Sequence, residues 1–279
     1  MALPPHVLEF SSDDPVAAAS LDALYHAAPT SDDPPTLRYA LRNAGSGTYV
    51  ATSPSRPAFG PAPLADCWTF LEWRAIEDVL NDPGPDDVFI HAAGVRIGER
   101  LVLLVGPSGS GKSTLTAMLL VGGCAALGDD VLRFTPHAPA YHSVPRSLKL
   151  DRNALTMLSL ALNERATNAF GTFLADSILY VSPLALNSAW ESAPGLPWGV
   201  VVMGEGPRRG PARLERSSEG QAAVRVVQSL MGARYGMGPE ASADAGLRLL
   251  ESVANAQAFR AEGSGAAEMA ELIVEAAQA

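Results

Sequence analysis

The chain has 279 residues, 47% of them hydrophobic, with a formal net charge of −10 and an isoelectric point near 4.9. That length supplies a sizeable core and suits one large domain with an appended lobe. The acidic balance argues against nucleic acid or an anionic membrane as the main partner, and no apolar run approaches the roughly 18 residues of a membrane-spanning helix.

The first 84 residues are rich in Pro, Asp and Ser and read as a small N-terminal α+β lobe, residues 1–84. Met1 to Pro5 has neither the basic nor the apolar region of a signal peptide, so a cytoplasmic location is expected. Asp13-Asp14-Pro15, Ser31 to Pro35 and Ser53 to Pro63 read as loops. Thr36 to Arg42 and Thr48 to Thr52 read as short strands. Asp66 to Leu80 reads as an amphipathic helix with Trp68, Leu71, Ile76 and Leu80 at helical spacing.

From residue 85 the pattern sharpens, and residues 85–279 are expected to form an α/β domain. Val88 to His91, Val95 to Ile97 and Leu101 to Val105 read as strands. The link Gly98-Glu99-Arg100 is too short for anything but a hairpin, which predicts a mixed sheet. Leu115 to Leu120 reads as helix and Gly122-Gly123 stops it. Ala125 to Phe134 reads as one strand carrying Gly128-Asp129-Asp130, followed by a strand at Ser147 to Leu150. The stretch to about 195 carries no decisive pattern. Gly199 to Met203 and Ala212 to Glu215 read as strands, and helices are expected near 219–233, 243–258 and 264–278. Cys67 and Cys124 lie in apolar segments without zinc-site spacing and are expected to be buried thiols.

The most informative segment is Gly106-Pro107-Ser108-Gly109-Ser110-Gly111-Lys112-Ser113-Thr114, which fits the pattern G-x-x-x-x-G-K-[ST]. It stands between an apolar strand and a helix, the context a phosphate-binding P-loop requires. The glycines let successive amides face an anion, and the helix N-terminus adds partial positive charge. Lys112 would reach the β- and γ-phosphates and Ser113 would ligate Mg²⁺. The chain has only two lysines, Lys112 and Lys149, against 18 arginines. A nucleoside triphosphate, written here as ATP with Mg²⁺, is the ligand expected.

Asp129 and Asp130 lie just beyond, Asp129 being 17 residues after Lys112. Carboxylates at a strand end beside the loop could serve two purposes. One accepts the proton of an attacking hydroxyl and the other, Asp130, assists the metal. Neighbouring strand residues face opposite ways, so both serve only if Gly128 lets the chain bend. A solvated Gly-Asp-Asp turn is the plain alternative. His91, 15 residues before Gly106 and at the end of a strand expected to enter the same sheet, is either a packed structural residue or a member of the site. Arg146 and Lys149 could approach a ligand, while Arg208 and Arg209 read as a solvated loop.

His91-Ala92-Ala93-Gly94, the loop at 106–114 and Ala125 to Val131 together resemble the catalytic domain of the bacterial HPr kinase/phosphorylase family. The likeness covers about residues 86–135 and continues weakly through Val144 to Leu150. It implies a P-loop fold with a mixed sheet related to phosphoenolpyruvate carboxykinase, and Mg-ATP-dependent phosphorylation of a serine hydroxyl. It also implies Asp129 as the base, Asp130 at the metal and His91 beside them. Ser113-Thr114 stands where that family commonly has Ser-Glu. No glycine-rich signature follows the Asp pair, and residues 1–84 do not resemble the family's N-terminal domain. The resemblance therefore implies a serine kinase for another peptide or protein, as in relatives that accompany lasso-peptide gene sets, and leaves a homo-oligomer open. Three rivals stay open: a small-molecule kinase, a P-loop ATPase and a nucleotide-dependent switch. Ser217 to Gln221 resembles a degraded transporter-ATPase signature, but reads as a helix cap with Ser218 at its start.

Overall fold

The computed structural model describes the chain except residues 4, 26, 27, 29, 85, 86, 162–171, 176, 177, 187, 192, 205–209 and 232–236. Arg208 and Arg209 thus lie outside the described residues. The N-terminal part comprises β1 (Ala2–Leu3), β2 (His6–Ser12), α1 (Pro15–Tyr25), β3 (Leu37–Gly45), β4 (Thr48–Thr52), β5 (Phe59–Pro63) and α2 (Leu64–Asn81). The five strands form one sheet in the order β1-β2-β3-β4-β5. Two segments expected as loops are regular. Asp13-Asp14-Pro15 starts α1, because the Asp14 carboxylate accepts from the Val16 and Ala17 amides at 2.9 and 3.0 Å and Pro15 opens the first turn. The end of the expected loop Ser53 to Pro63 pairs with β4 as β5.

The rest of the chain runs β6 (Val88–Ile90), β7 (Ala92–Ile97), β8 (Arg100–Val105), α3 (Lys112–Val121), β9 (Ala125–Gly128), β10 (Leu132–Thr135), β11 (Ala140–His142), β12 (Leu148–Leu150), α4 (Arg152–Ala161), β13 (Thr172–Ala175), β14 (Ile178–Val181), β15 (Pro197–Met203), β16 (Arg213–Arg216), α5 (Glu219–Gln228), α6 (Pro239–Val253), β17 (Gln257–Glu262) and α7 (Ala266–Gln278). The fold is mixed α/β with mixed sheets. Its central sheet has six strands in the order β16-β17-β15-β8-β7-β9. β8 pairs in parallel with β15 and antiparallel with β7, only Gly98 and Glu99 lying between β7 and β8.

Alternation along β8 sorts its side chains to two faces. Val102 and Leu104 pack under α3, α4 and α7, whereas Leu101, Leu103 and Val105 pack under α5 and α6. A third core joins α2 and the N-terminal sheet to Phe89, Val131, Val144 and Tyr180. Cys67 and Cys124 are buried free thiols, as expected. No helix of the described residues is long and apolar enough to cross a membrane.

Three expectations need correction. Ala125 to Phe134 is two strands, because the chain breaks at Asp129 to Val131 and β10 joins β6 and β11 in a separate sheet. His91 therefore stands between β6 of that second sheet and β7, rather than on a strand of the central sheet. The helix expected over 243–258 stops at Val253, and Gln257 to Glu262 is the parallel neighbour of β15. The Ala-rich run Ala254 to Ala258 favours helix in composition, and parallel pairing with β15 overrides that preference from Gln257 onward.

Candidate active site

Strand register brings three chain segments to one edge of the central sheet. Ala92 lies opposite Val105, so His91 and the glycine loop leave the sheet side by side. Gly94 lies opposite Gly128, so Asp129 and Asp130 emerge at the same level. β9 is not the immediate neighbour of β8, since β7 lies between them. Two antiparallel steps restore its direction, so the carboxyl ends of β8 and β9 still share an edge. That edge is where parallel-strand proteins place ligands.

The glycine loop is shaped by positions that exclude side chains. Gly109 and Gly111 hold φ at +76° and +85°, in the left-handed region. A Cβ on Gly106 would lie 2.7 Å from the Met203 carbonyl of β15, so only glycine lets the loop cross that strand end. Among the described residues no backbone carbonyl accepts from the amides of Gly111, Lys112 or Ser113 at the start of α3. Such amides at a helix N-terminus form a ready anion cradle. Lys112 is buried, its Nζ donating to the carbonyls of Gly106 and Pro107 at 2.9 and 3.2 Å. Burial lowers its pKa, and the charges of Asp130 and Asp129 act against that shift. Ser113 and Thr114 are half-buried on the first turn, and Pro107 and Ser108 complete the loop.

The two aspartates have opposite surroundings. Asp129 is buried, and its Oδ1 has no hydrogen-bond partner among the described residues. Burial and the Asp130 charge push its carboxyl up to about 6, while the nearby Ser113 hydroxyl, Lys149 amide and Arg146 guanidinium pull the other way. Asp130 is 41% exposed at its side chain, yet both oxygens are engaged. His91 Nε2 lies 2.7 Å from Oδ1, and Arg146 Nη1 donates to Oδ2 at 3.1 Å. Burial would raise its pKa, but the His91 hydrogen bond and the Arg146 charge outweigh it and hold the carboxyl below the usual range. Asp130 reaches a cation only by exchanging one of these partners. At Gly128 a Cβ would lie 2.7 Å from the Val131 carbonyl, so glycine permits the bend that separates the two carboxylates.

Behind Asp130 stands a residue with no warning in the sequence. Glu72 of α2 is fully buried and grips Arg146 with both carboxylate oxygens, Nε to Oε1 and Nη2 to Oε2, the latter at 3.0 Å. Lys149 Nζ lies 2.8 Å from the same Oε2, and the ammonium stands 5.6 Å from the Tyr180 ring. Burial alone would raise the Glu72 pKa, but Arg146 and Lys149 more than reverse it. By sequence alone Arg146 and Lys149 could approach a ligand or not. The structure ties Arg146 directly to Asp130 and Lys149 to Arg146's partner, and so both lysines of the chain lie at this edge. The one signal that could have found Glu72 is a carboxylate placed beside Leu71 on the apolar side of α2.

The arrangement can do three things chemically. Its amides and Lys112 attract an anion, Asp129 offers a proton acceptor near neutral pH, and the Glu72–Arg146–Asp130–His91 chain fixes a set of paired charges around both. No cluster of three or more His, Cys, Asp or Glu residues suited to a metal occurs among the described residues. Ser113 on the first turn of α3 and the partly exposed Asp130, once it exchanges a partner, nevertheless fit a Mg²⁺ that arrives with phosphate oxygens, since such an ion takes few protein ligands. A scan against protein-family models finds no match for this chain, and no curated protein is significantly similar to it.

Proposed function

We propose that the chain is a Mg-ATP-dependent kinase that phosphorylates a hydroxyl, the serine of a peptide or protein, with a P-loop catalytic domain of the HPr-kinase type. The observation that carries this reading is Asp129. It is a buried carboxylate with an unpartnered oxygen and a pKa near 6, at the same sheet edge as the loop Gly106 to Thr114. A switch or simple nucleotide holder has no use for such a group, whereas a hydroxyl acceptor needs a base poised near the working pH.

In the proposed reaction the amides of Gly111, Lys112 and Ser113, with the Lys112 ammonium, bind and orient the triphosphate. Ser113, with Asp130, would hold Mg²⁺, which supplies charge neutralisation at the phosphates when bound. Asp129 takes the proton of the serine hydroxyl. The serine oxygen forms its new bond to the γ-phosphorus as the bond to the β–γ bridging oxygen breaks, and the nucleoside diphosphate leaves. Arg146 and His91 keep Asp130 ionised and in place, so its negative charge stays beside Asp129 and sustains the basicity of that group.

Incubation of the protein with γ-labelled ATP, Mg²⁺ and candidate peptides or a cell lysate tests the proposal. Label on serine of an acceptor is expected. Rapid release of labelled phosphate with no labelled acceptor would replace the kinase reading with an ATPase.

A further inference from the structure

Beside the glycine loop, with neither Asp129 nor Asp130 in its lining, lies a cleft of about 360 Å³. It is bounded by Gly109 to Gly111 of the loop with Thr114 and Leu115 of α3, by Asp151 and the first turns of α4, and by Gly263 to Ala266 at the start of α7. Its size falls within the roughly 300–1,000 Å³ of small-ligand sites. Nothing in the reaction described above uses it.

The chemistry of its walls differs from that of the adjoining cradle. Leu115, Ala154 and Met157 supply apolar surface, and Met157 remains 41% exposed. Asp151 caps α4, its Oδ1 accepting from the Ala154 amide at 2.8 Å, and its second oxygen takes no bond among the described residues. A free carboxylate beside apolar surface repels phosphate and suits a neutral, hydroxyl-bearing group. The third wall is the turn Gly263 to Ala266, whose side chains are small. Gly263 holds φ at +89°, and a Cβ there would lie 1.9 Å from the Pro211 carbonyl, so that position requires glycine, while the Ser264 hydroxyl is turned to the Gly210 carbonyl at 3.0 Å. On the first turn of α3, Ser113 lies near Asp129 whereas Thr114 lines this cleft. One helix start therefore joins an anion cradle to a neutral slot.

We infer that this cleft binds the nucleoside half of the triphosphate, with the base against Met157 and Leu115 and the ribose hydroxyls toward Asp151. The inference rests on the P-loop reading above and extends it, by assigning the residues that separate a nucleotide from a bare polyphosphate.

Titration calorimetry with Mg-ATP and with Mg-tripolyphosphate separates the two ideas. Two variants are compared with wild type: Met157→Ser, at an exposed position, and Ala266→Trp, which fills the rim. Each is expected to weaken ATP at least tenfold and to leave tripolyphosphate within about twofold. Equal losses for both ligands, or no loss for either, would overturn the cleft assignment while keeping the phosphate cradle. A wild-type protein that binds neither ligand overturns both. Retained tripolyphosphate affinity also establishes that a variant is folded.

Discussion

The two sides of the site are built on opposite principles. On the loop side, polar groups are left unmatched: the amides that open α3 and the Asp129 oxygen lack partners among the described residues. On the α2 side every charge is matched, with Glu72 holding Arg146 and Lys149, and Arg146 holding Asp130. An unmatched buried group costs stability and persists where a ligand or a reaction uses it. A matched network costs less and fixes geometry, at the risk that losing one member strands the others. Under the proposed function, chemistry falls to the loop side and positioning to the α2 side.

Breaking the matched side should give the largest effect on stability. Glu72→Leu leaves the Arg146 guanidinium buried and partly unpaired, and a loss of about 3–5 kcal/mol is expected in chemical denaturation. Glu72→Gln, which keeps hydrogen-bond acceptance, should lose less. If Glu72→Leu unfolds at the wild-type midpoint, the network is not the structural anchor described here. On the loop side the effect should fall on function instead. Lys112→Ala is expected to cut phosphoryl transfer by about 10²–10³-fold, the scale for removing one charge-stabilising donor, with an unchanged denaturation midpoint.

A smaller effect comes from pH. The Asp129 pKa is raised in the fold, from 3.8 to about 6, so the folded state holds this proton more tightly than the unfolded one. Its contribution to stability is therefore present at low pH and lost as pH rises from about 4 through about 6. Asp129→Asn should remove that slope, read as the difference between wild-type and variant melting temperatures across the window. Transfer activity should rise over the same window as the base ionises. The smallest effect belongs to His91, whose hydrogen bond with Asp130 is partly exposed. His91→Ala should cost about 1 kcal/mol in stability, and a loss as large as that of Glu72→Leu would make His91 a structural anchor rather than the outer end of the network.

Much of the loop side was legible because its chemistry is local. The hairpin at 95–105, the loop at 106–114 and the Asp pair each announce themselves through adjacent residues, and Ser218 caps α5 as expected, its Oγ accepting from the Gln221 amide at 3.2 Å. Trp68, Leu71, Ile76 and Leu80 are likewise buried along α2. The α2 side was not legible, because its partners are remote in sequence. Glu72 is fully buried while its neighbour Trp73 is 45% exposed, the reverse of their hydropathy. Only the fold, which brings Arg146 and Lys149 beneath α2, explains that inversion. The same holds for β17, whose strand character comes from pairing with β15 and β16 rather than from its own composition.

The central claim is that Asp129 is the base and not part of the nucleotide cradle. Single-turnover transfer and equilibrium ATP binding, measured together on Asp129→Asn, test it most directly. The account predicts ATP affinity within a few-fold of wild type and transfer slower by about 10²–10⁴-fold, the scale of general-base catalysis. Transfer at the wild-type rate, or loss of binding and transfer in equal measure, would contradict it.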